Sequence, residues 1–229
     1  MEASPGETAE PRPRGREREA RANDTSVLEA ARDVFAEQGY NAPMSAVAER
    51  AGVGVASIYR RYPSKDALVH GLRLLALQQV TDLAVTSARA TPGSAIRTFL
   101  ETHFQEAANP LVTTFGRHVG SSPDIDAAAD RLLLALEALI AADAGTGAVP
   151  ADFGPGELMA TLVHLRPALP TTRERSIQIH LRHLDVYLLG LREAAADPAR
   201  QRGEPMTWAE WLALNSAGRP DDVGGSPVD

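Results

Sequence analysis

Ser26-Val-Leu-Glu-Ala-Ala-Arg-Asp-Val-Phe-Ala-Glu-Gln-Gly-Tyr40 is followed by Asn41-Ala-Pro-Met-Ser-Ala-Val-Ala-Glu-Arg-Ala-Gly-Val53 and Gly54-Val-Ala-Ser-Ile-Tyr-Arg-Arg-Tyr-Pro-Ser-Lys-Asp-Ala-Leu68. Ser26-x-x-Glu29 is a capping box, and Val27, Leu28, Ala31, Val34 and Phe35 form an apolar stripe at helical spacing. Gly39 is a helix stop. A second, short helix runs from Met44 to Ala51 with Val47 and Ala51 inward. After a tight turn at Ala51-Gly52-Val53, a third runs from Val55 to Tyr62 with Ile58 and Tyr62 inward, and Pro63 ends it. Ser64 caps a long helix reaching Ala88, with Leu68, Leu72, Leu75 and Leu83 along it. Two short helices joined by a glycine-containing turn are a helix-turn-helix, with its motif at about residues 42–61, whose second helix can lie in a DNA major groove. The spacing therefore predicts sequence-specific binding to double-stranded DNA.

With Ile58 and Tyr62 turned inward, Val55, Ala56, Ser57, Tyr59 and Arg60 fall on the outer side of the third helix. Its small N-terminal residues let the backbone approach base edges. Val55 and Ala56 suit thymine methyls, and Ser57 suits a base or a phosphate. Tyr59, Arg60 and Arg61 carry donors for phosphate. Lys65, the only lysine in the chain, stands in the first turn of the next helix, where backbone N–H groups and the dipole favour an anion.

The 229-residue chain has a net charge of −7, but the charge is divided. Residues 12–73 hold 11 basic and 8 acidic side chains (+3), residues 1–11 contribute −3, and residues 74–229 hold 12 basic and 19 acidic side chains (−7). Local rather than total charge decides phosphate attraction. A hydrophobic fraction of 44% supports a real core, and no apolar run is long enough to span a membrane or serve as a signal core. The absence of cysteine excludes disulfides and thiolate metal sites and fits a cytoplasmic protein.

Residues 1–23, rich in Pro, Gly, Glu and Arg, predict a disordered arm. Its Arg12, Arg14, Arg16, Arg18 and Arg21 could enter a minor groove; the alternative is a solvated tail with Glu17 and Glu19 interleaved. Residues 24–70 form the DNA-binding unit and residues 71–196 a helical unit. Within the latter, helices are expected over Pro92–Asn109, Pro110–Val119, Pro123–Ala142, Glu157–Leu165 and Thr171–Arg192, with a loop at Gly145–Gly156. Ile177, Leu181, Leu184, Leu188 and Leu191 alternate by four and three residues, which suits a partner subunit's helix or ordinary burial within one chain. Residues 197–229 are a polar tail interrupted by Thr207-Trp-Ala-Glu-Trp-Leu212, a short helix with its own capping box. The fold class is all-α.

Enzyme signatures are missing: there is no GxSxG elbow, Walker A loop, GxGxxG after a strand or HExxH. No cofactor is called for. His180 and His183, three apart on one helix, are the one metal-binding candidate, and surface or interface histidines are the commoner case.

The segment from about 24 to 70 resembles the DNA-binding domain of TetR-family transcriptional regulators. The resemblance rests on Ala51-Gly52-Val53, then Ala56-Ser57-Ile58-Tyr59-Arg60-Arg61-Tyr62, Lys65 and Leu68. Ala-Pro ahead of the second helix is similar to actinobacterial-type members. Gly54 stands where the family has a capping Ser or Thr, Arg61 replaces a common His, and Pro43-Met44-Ser45 replaces the usual polar pair, with Ser45 as the phosphate contact. The resemblance implies DNA contact by Ser57, Tyr59 and Lys65. It also implies a homodimer built through the last two helices, a palindromic operator, repression, and a small-molecule effector in the second domain. The dimer interface is then expected at Ile177, Leu181, Leu184, Leu188 and Leu191. Pocket candidates at inward positions are His103, Phe104, Phe115, His118, Leu133, Glu137, Met159 and His164. A constitutive or protein-controlled DNA-binding regulator is the alternative, with Trp208 and Trp211 as a partner site.

Overall fold

The computed structural model describes residues 14–106, 122–165 and 169–216, with residues 14–23, 106, 215 and 216 described by backbone only. Among the described residues there is no strand, and the helices are α1 (Arg14–Gln38), α2 (Met44–Ala51), α3 (Val55–Arg61), α4 (Lys65–Ser87), α5 (Ala95–Glu106), α6 (Pro123–Asp143), α7 (Pro155–His164), α8 (Arg173–Ala196) and α9 (Trp208–Ser216). A single 3₁₀ turn, Pro198–Arg200, lies between the last two. The expected Pro110–Val119 helix lies outside the described residues.

The first departure from the sequence pattern is at the start of α1. The helix begins at Arg14, not at the Ser26 box, so part of the expected disordered arm is helical. The reason is local: Arg, Glu and Ala dominate residues 14–22, all strong helix formers, and nothing in the run breaks a helix except Gly15. Asp24 adds a tertiary tie, pairing with Arg61 at the end of α3. A second departure is smaller. Pro155 and Gly156, expected in a loop, form the first turn of α7, where proline lacks only an N–H that would be orphaned anyway.

Two cores divide the apolar residues. Val27, Leu28, Ala31, Val34 and Phe35 of α1 close over Val47 and Ala48 of α2, Ile58 of α3, and Leu68, Val69 and Leu72 of α4. The larger core takes Leu77, Val80 and Ala84 from the far half of α4, together with Phe99 and Phe104 of α5, Leu132, Leu136 and Leu139 of α6, Leu158 of α7 and Leu184 of α8. α4 thus belongs to both, as a rigid strut between the front helices and the body. Near its start, His70 Nε2 lies 2.8 Å from Asp124 Oδ2 in the first turn of α6. The Ser122 hydroxyl and then His70 hold the Asp124 carboxyl down to about 2.

The leucine seam of α8 is resolved in favour of burial within the chain. Leu184, Leu188 and Leu191 are buried in the larger core, and Leu181 packs against it. Ile177 is half-buried. Leu184, Leu188 and Leu191 are thus covered by this chain's own helices, while Ile177 and Leu181 keep part of their surface; the four-and-three rhythm marks any helix with one buried face. The apolar residues left outside are Val186 and Leu189, 65% and 62% exposed.

The tail helix docks. Thr207 and Glu210 form the expected capping box, the Thr207 N–H donating to Glu210 Oε2 at 2.8 Å and the Glu210 N–H to Thr207 Oγ1 at 3.2 Å. Trp211 is buried in the larger core and Trp208 stacks on it with ring centroids 4.7 Å apart. Gly156 makes this docking possible. A Cβ there would lie 2.4 Å from the carbonyl oxygens of both Met206 and Thr207, so only glycine lets α7 approach that backbone.

Candidate nucleic-acid interface

The geometry of the front helices is set at one turn. α2 ends at Gly52, whose φ of 67° is left-handed. The Val53 N–H then donates to Ala48 O at 3.0 Å and the Gly52 N–H to Glu49 O at 3.2 Å, the paired bonds of a Schellman stop. Gly54 opens α3 with no side-chain cap, and the Ser57 N–H donates back to Gly54 O at 2.9 Å. Gly52→Ala is expected to cost about 1–2 kcal/mol, the left-handed penalty for a residue with a Cβ. Thermal melting checks this, and an unchanged melt contradicts it.

Ile58 is the anchor of α3, with 1% of its surface exposed, and everything else on the helix follows from that. Val55, Ala56, Ser57, Tyr59, Arg60 and Arg61 are all exposed, as is Ser45 on α2. Seven of the eight expected DNA-facing residues are thus exposed, six of them on α3 and Ser45 on α2. Val53, at the tip of the turn, joins them; its apolar character gave no hint of exposure because a turn residue has no periodicity to follow.

Lys65 is the exception, and its surroundings explain why. It is half-buried, its Nζ donates to Tyr40 O at 3.0 Å, and it stands 5.4 Å from the centre of the Tyr40 ring. The Tyr40 hydroxyl in turn donates to Asp66 Oδ1 at 2.6 Å. Partial burial, then Asp66, pushes Tyr40 up to about 12, so the phenol keeps its proton at neutral pH. One of the three Lys65 donors is therefore committed to holding the α1–α2 connection on α4. The helix N-terminus beside it already carries Ser64, which accepts the Ala67 N–H at 3.1 Å, and the Asp66 carboxylate. Lys65 can still reach phosphate with its remaining protons, but the turn around it is less electropositive than the sequence suggests. Arg61 is likewise tied to Asp24, and among the described residues Arg60 is the exposed guanidinium of α3 with no carboxylate paired to it.

The described effector-pocket candidates fall in different surroundings. Phe104 and Met159 are filled into the larger core. His103 is half-buried and stacks on Phe99 at 6.3 Å, and Leu133 is half-buried. Glu137 is exposed, contrary to its expected inward position, because it falls one residue past Leu136 on α6 and so turns outward. Phe115 and His118 lie outside the described residues. His164 lines a sizeable cleft. The two histidines of α8 separate as well: His180 is buried, 3.0 Å from Ser176 Oγ, and His183 is exposed. Among the described residues no group of three or more His, Cys, Asp or Glu is placed to hold a metal ion.

The family profile described as "Bacterial regulatory proteins, tetR family" matches residues 27–72, the segment that builds α1 to α4 of the smaller core. A TetR transcription regulatory protein from Mycobacterium vanbaalenii is 30% identical, with a TM-score of 0.56 over 77% of this chain and 98% of that one. The chain belongs to the TetR family. A TetR transcriptional regulator from Streptomyces coelicolor is 25% identical, with a TM-score of 0.56 over 74% of this chain and 98% of that one. The fatty acid degradation regulator FadR from Bacillus halodurans, at 18% identity and a TM-score of 0.53 over 79% of this chain and 97% of that one, shares the fold. No curated protein matched. As a TetR-family member the chain is a DNA-binding transcription regulator of all-α fold, whose helix-turn-helix is α2 and α3. No described helix is long and apolar enough to cross a membrane.

Proposed function

We propose that this regulator is a homodimeric repressor that holds an inverted-repeat operator and releases it when a small molecule binds. The observation that carries the reading is the division of α3 by its anchor: Ile58 is buried, and the side chains able to touch bases and phosphates are all on the open face. Residues 24–70 read DNA, and residues 71–196 join the two subunits and house the effector. Val55, Ala56 and Ser57 meet base edges; Tyr59, Arg60, Arg61, Lys65 and Ser45 meet phosphates.

The dimer surface is moved from the leucine seam to the opposite side of α8. Val186 and Leu189 lie one turn apart there, and Val163 on α7 is 45% exposed. Solvent-exposed apolar side chains on the last two long elements of a family that pairs through such helices are the natural contact. Leu189→Arg is expected to leave the monomer folded and shift sedimentation from dimer to monomer at micromolar concentration. A dimer that persists puts the interface elsewhere.

The direct test is a mobility shift on the regulator's own promoter DNA across a salt series. With roughly six phosphate-neutralising cations per dimer, the log–log slope should be near −5. A slope near zero, or no preference for an inverted repeat over random duplex, overturns the proposal.

A further inference from the structure

Away from the DNA-facing helices, a cleft of about 950 Å³ opens between α7, the chain at 204–207 and α9, with Tyr187 of α8 on its wall. Small-molecule sites run from roughly 300 to 1,000 Å³, so this volume is ample for one. We propose that the cleft binds an amphiphilic organic cation, a single amine or quaternary ammonium carried on an apolar body. The inference rests on the ligand-responsive reading above and gives it a place and a chemistry.

Three properties of the wall select that class. Apolar surface dominates it, from Ala160, Leu165, Met206 and Leu214. Its carboxylates are Glu157, Glu204 and Glu210, joined by the imidazole of His164, with no Lys or Arg among the described lining residues. Two of the three carboxylates are fixed in place. Glu157 Oε2 accepts the Met206 N–H at 3.0 Å, and Glu210 Oε2 accepts the Thr207 N–H, an interaction that holds the Glu210 carboxyl below its usual range. Negative charge set in a largely apolar wall favours a cation that brings its own hydrocarbon, and disfavours fatty acids and phosphates. The Tyr187 ring, whose hydroxyl sits 2.7 Å from Thr161 Oγ1, adds an aromatic surface of the kind that receives ammonium groups.

The cleft is also pre-formed. Its two sides are locked by the Gly156 contact with the carbonyls of Met206 and Thr207, and by the Glu157 bond across the same seam. The remaining chain after Ser216 is a poor competitor for it by charge, since Asp221, Asp222 and Asp229 outnumber Arg219.

The two tryptophans of the protein, Trp208 and Trp211, both sit on α9 and report on its environment. The full-length dimer is titrated with decyltrimethylammonium below its micelle concentration, followed by tryptophan fluorescence and calorimetry, with decyl sulfate and decanol as controls. The expected result is saturable binding of one cation per chain, at least tenfold tighter than either control. Glu204→Gln, at an exposed position, is expected to weaken it severalfold, and Ala213→Phe, which fills the cleft, to abolish it while the circular dichroism melt is kept. No saturable binding, as when the tail fills the cleft, overturns the proposal, and so does equal affinity for sulfate and ammonium, or wild-type binding by both variants. Operator binding is measured in parallel without ligand. Its failure counts against the proposed function alone, and cation binding that leaves the operator complex intact upholds the site while removing its inducer role.

Discussion

Replacing Asp143 with alanine is expected to destabilise the protein by about 3–5 kcal/mol, the largest effect of any single polar substitution in the described structure. The side chain is 1% exposed and lies at the C-terminal end of α6. By itself that is a poor place for a carboxylate, because the helix dipole there is negative. Its oxygens, however, reach the start of α5. Oδ1 accepts the N–H of Gly93 at 2.7 Å and of Ala95 at 3.0 Å, and Oδ2 accepts the N–H of Ile96 at 2.9 Å. The local residue that could have capped α5 is otherwise engaged, since the Ser94 hydroxyl donates to Thr91 O at 2.6 Å. Alanine would strand three backbone donors in a buried site, each at a cost of about 1–3 kcal/mol, with some recovered by water entering the gap. For a chain of this size the melting temperature should fall by roughly 10 °C. Asparagine should restore less than half, because its amide offers one acceptor oxygen and turns an N–H₂ toward N–H groups. Urea and thermal unfolding of the two variants check this. A loss below about 1 kcal/mol for alanine would mean that the α5 start is not held from α6.

Asp143 also shows where the sequence stops being legible. The four front helices were readable because each signal is local: Gly52 and Gly54 bracket the turn, Pro63 ends α3, and Ser64 caps α4 three residues from its target. The family likeness of 51–68 added the DNA roles. The α5 cap lies 47 to 50 residues from the donors it satisfies, and no window of sequence contains both. The same holds for Gly156, whose need for glycine comes from carbonyls 50 residues downstream. The α8 seam was legible as a buried face but not as to whose core buried it. Val186 and Leu189 share their helix face with Arg182, Asp185 and Glu193, so periodicity alone gave them no prominence. Lys65 was correctly placed in the first turn of α4, while its bond to the Tyr40 carbonyl depended on how two connections meet. Composition misled once, at residues 14–23, where charge suggested disorder and helix propensity won.

The second large expectation concerns α3 and separates charge from readout. Arg60→Ala removes two cations from the dimer, one per half-site, so the salt slope should fall from near −5 to near −3, at about 0.9 per phosphate. Two charge-assisted contacts at about 1.5 kcal/mol each amount to roughly a hundredfold loss of affinity, equal for operator and random DNA. Arg61→Ala should do less, because Arg61 is already paired with Asp24 and the variant frees that carboxylate near the phosphates. Ser57→Ala and Val55→Ala should behave in the opposite manner, leaving the slope unchanged and altering preference by about 1–3 kcal/mol at one base pair per half-site. The contrast follows from position. Val55 and Ser57 lie in the first turn of α3, while Arg60 lies a turn further along, toward Arg61 and the chain that leads into α4. If Arg60→Ala changes which sequence is preferred while Ser57→Ala and Val55→Ala only weaken binding uniformly, α3 enters the groove by its other end, and the assignment of base and phosphate contacts along it must be reversed.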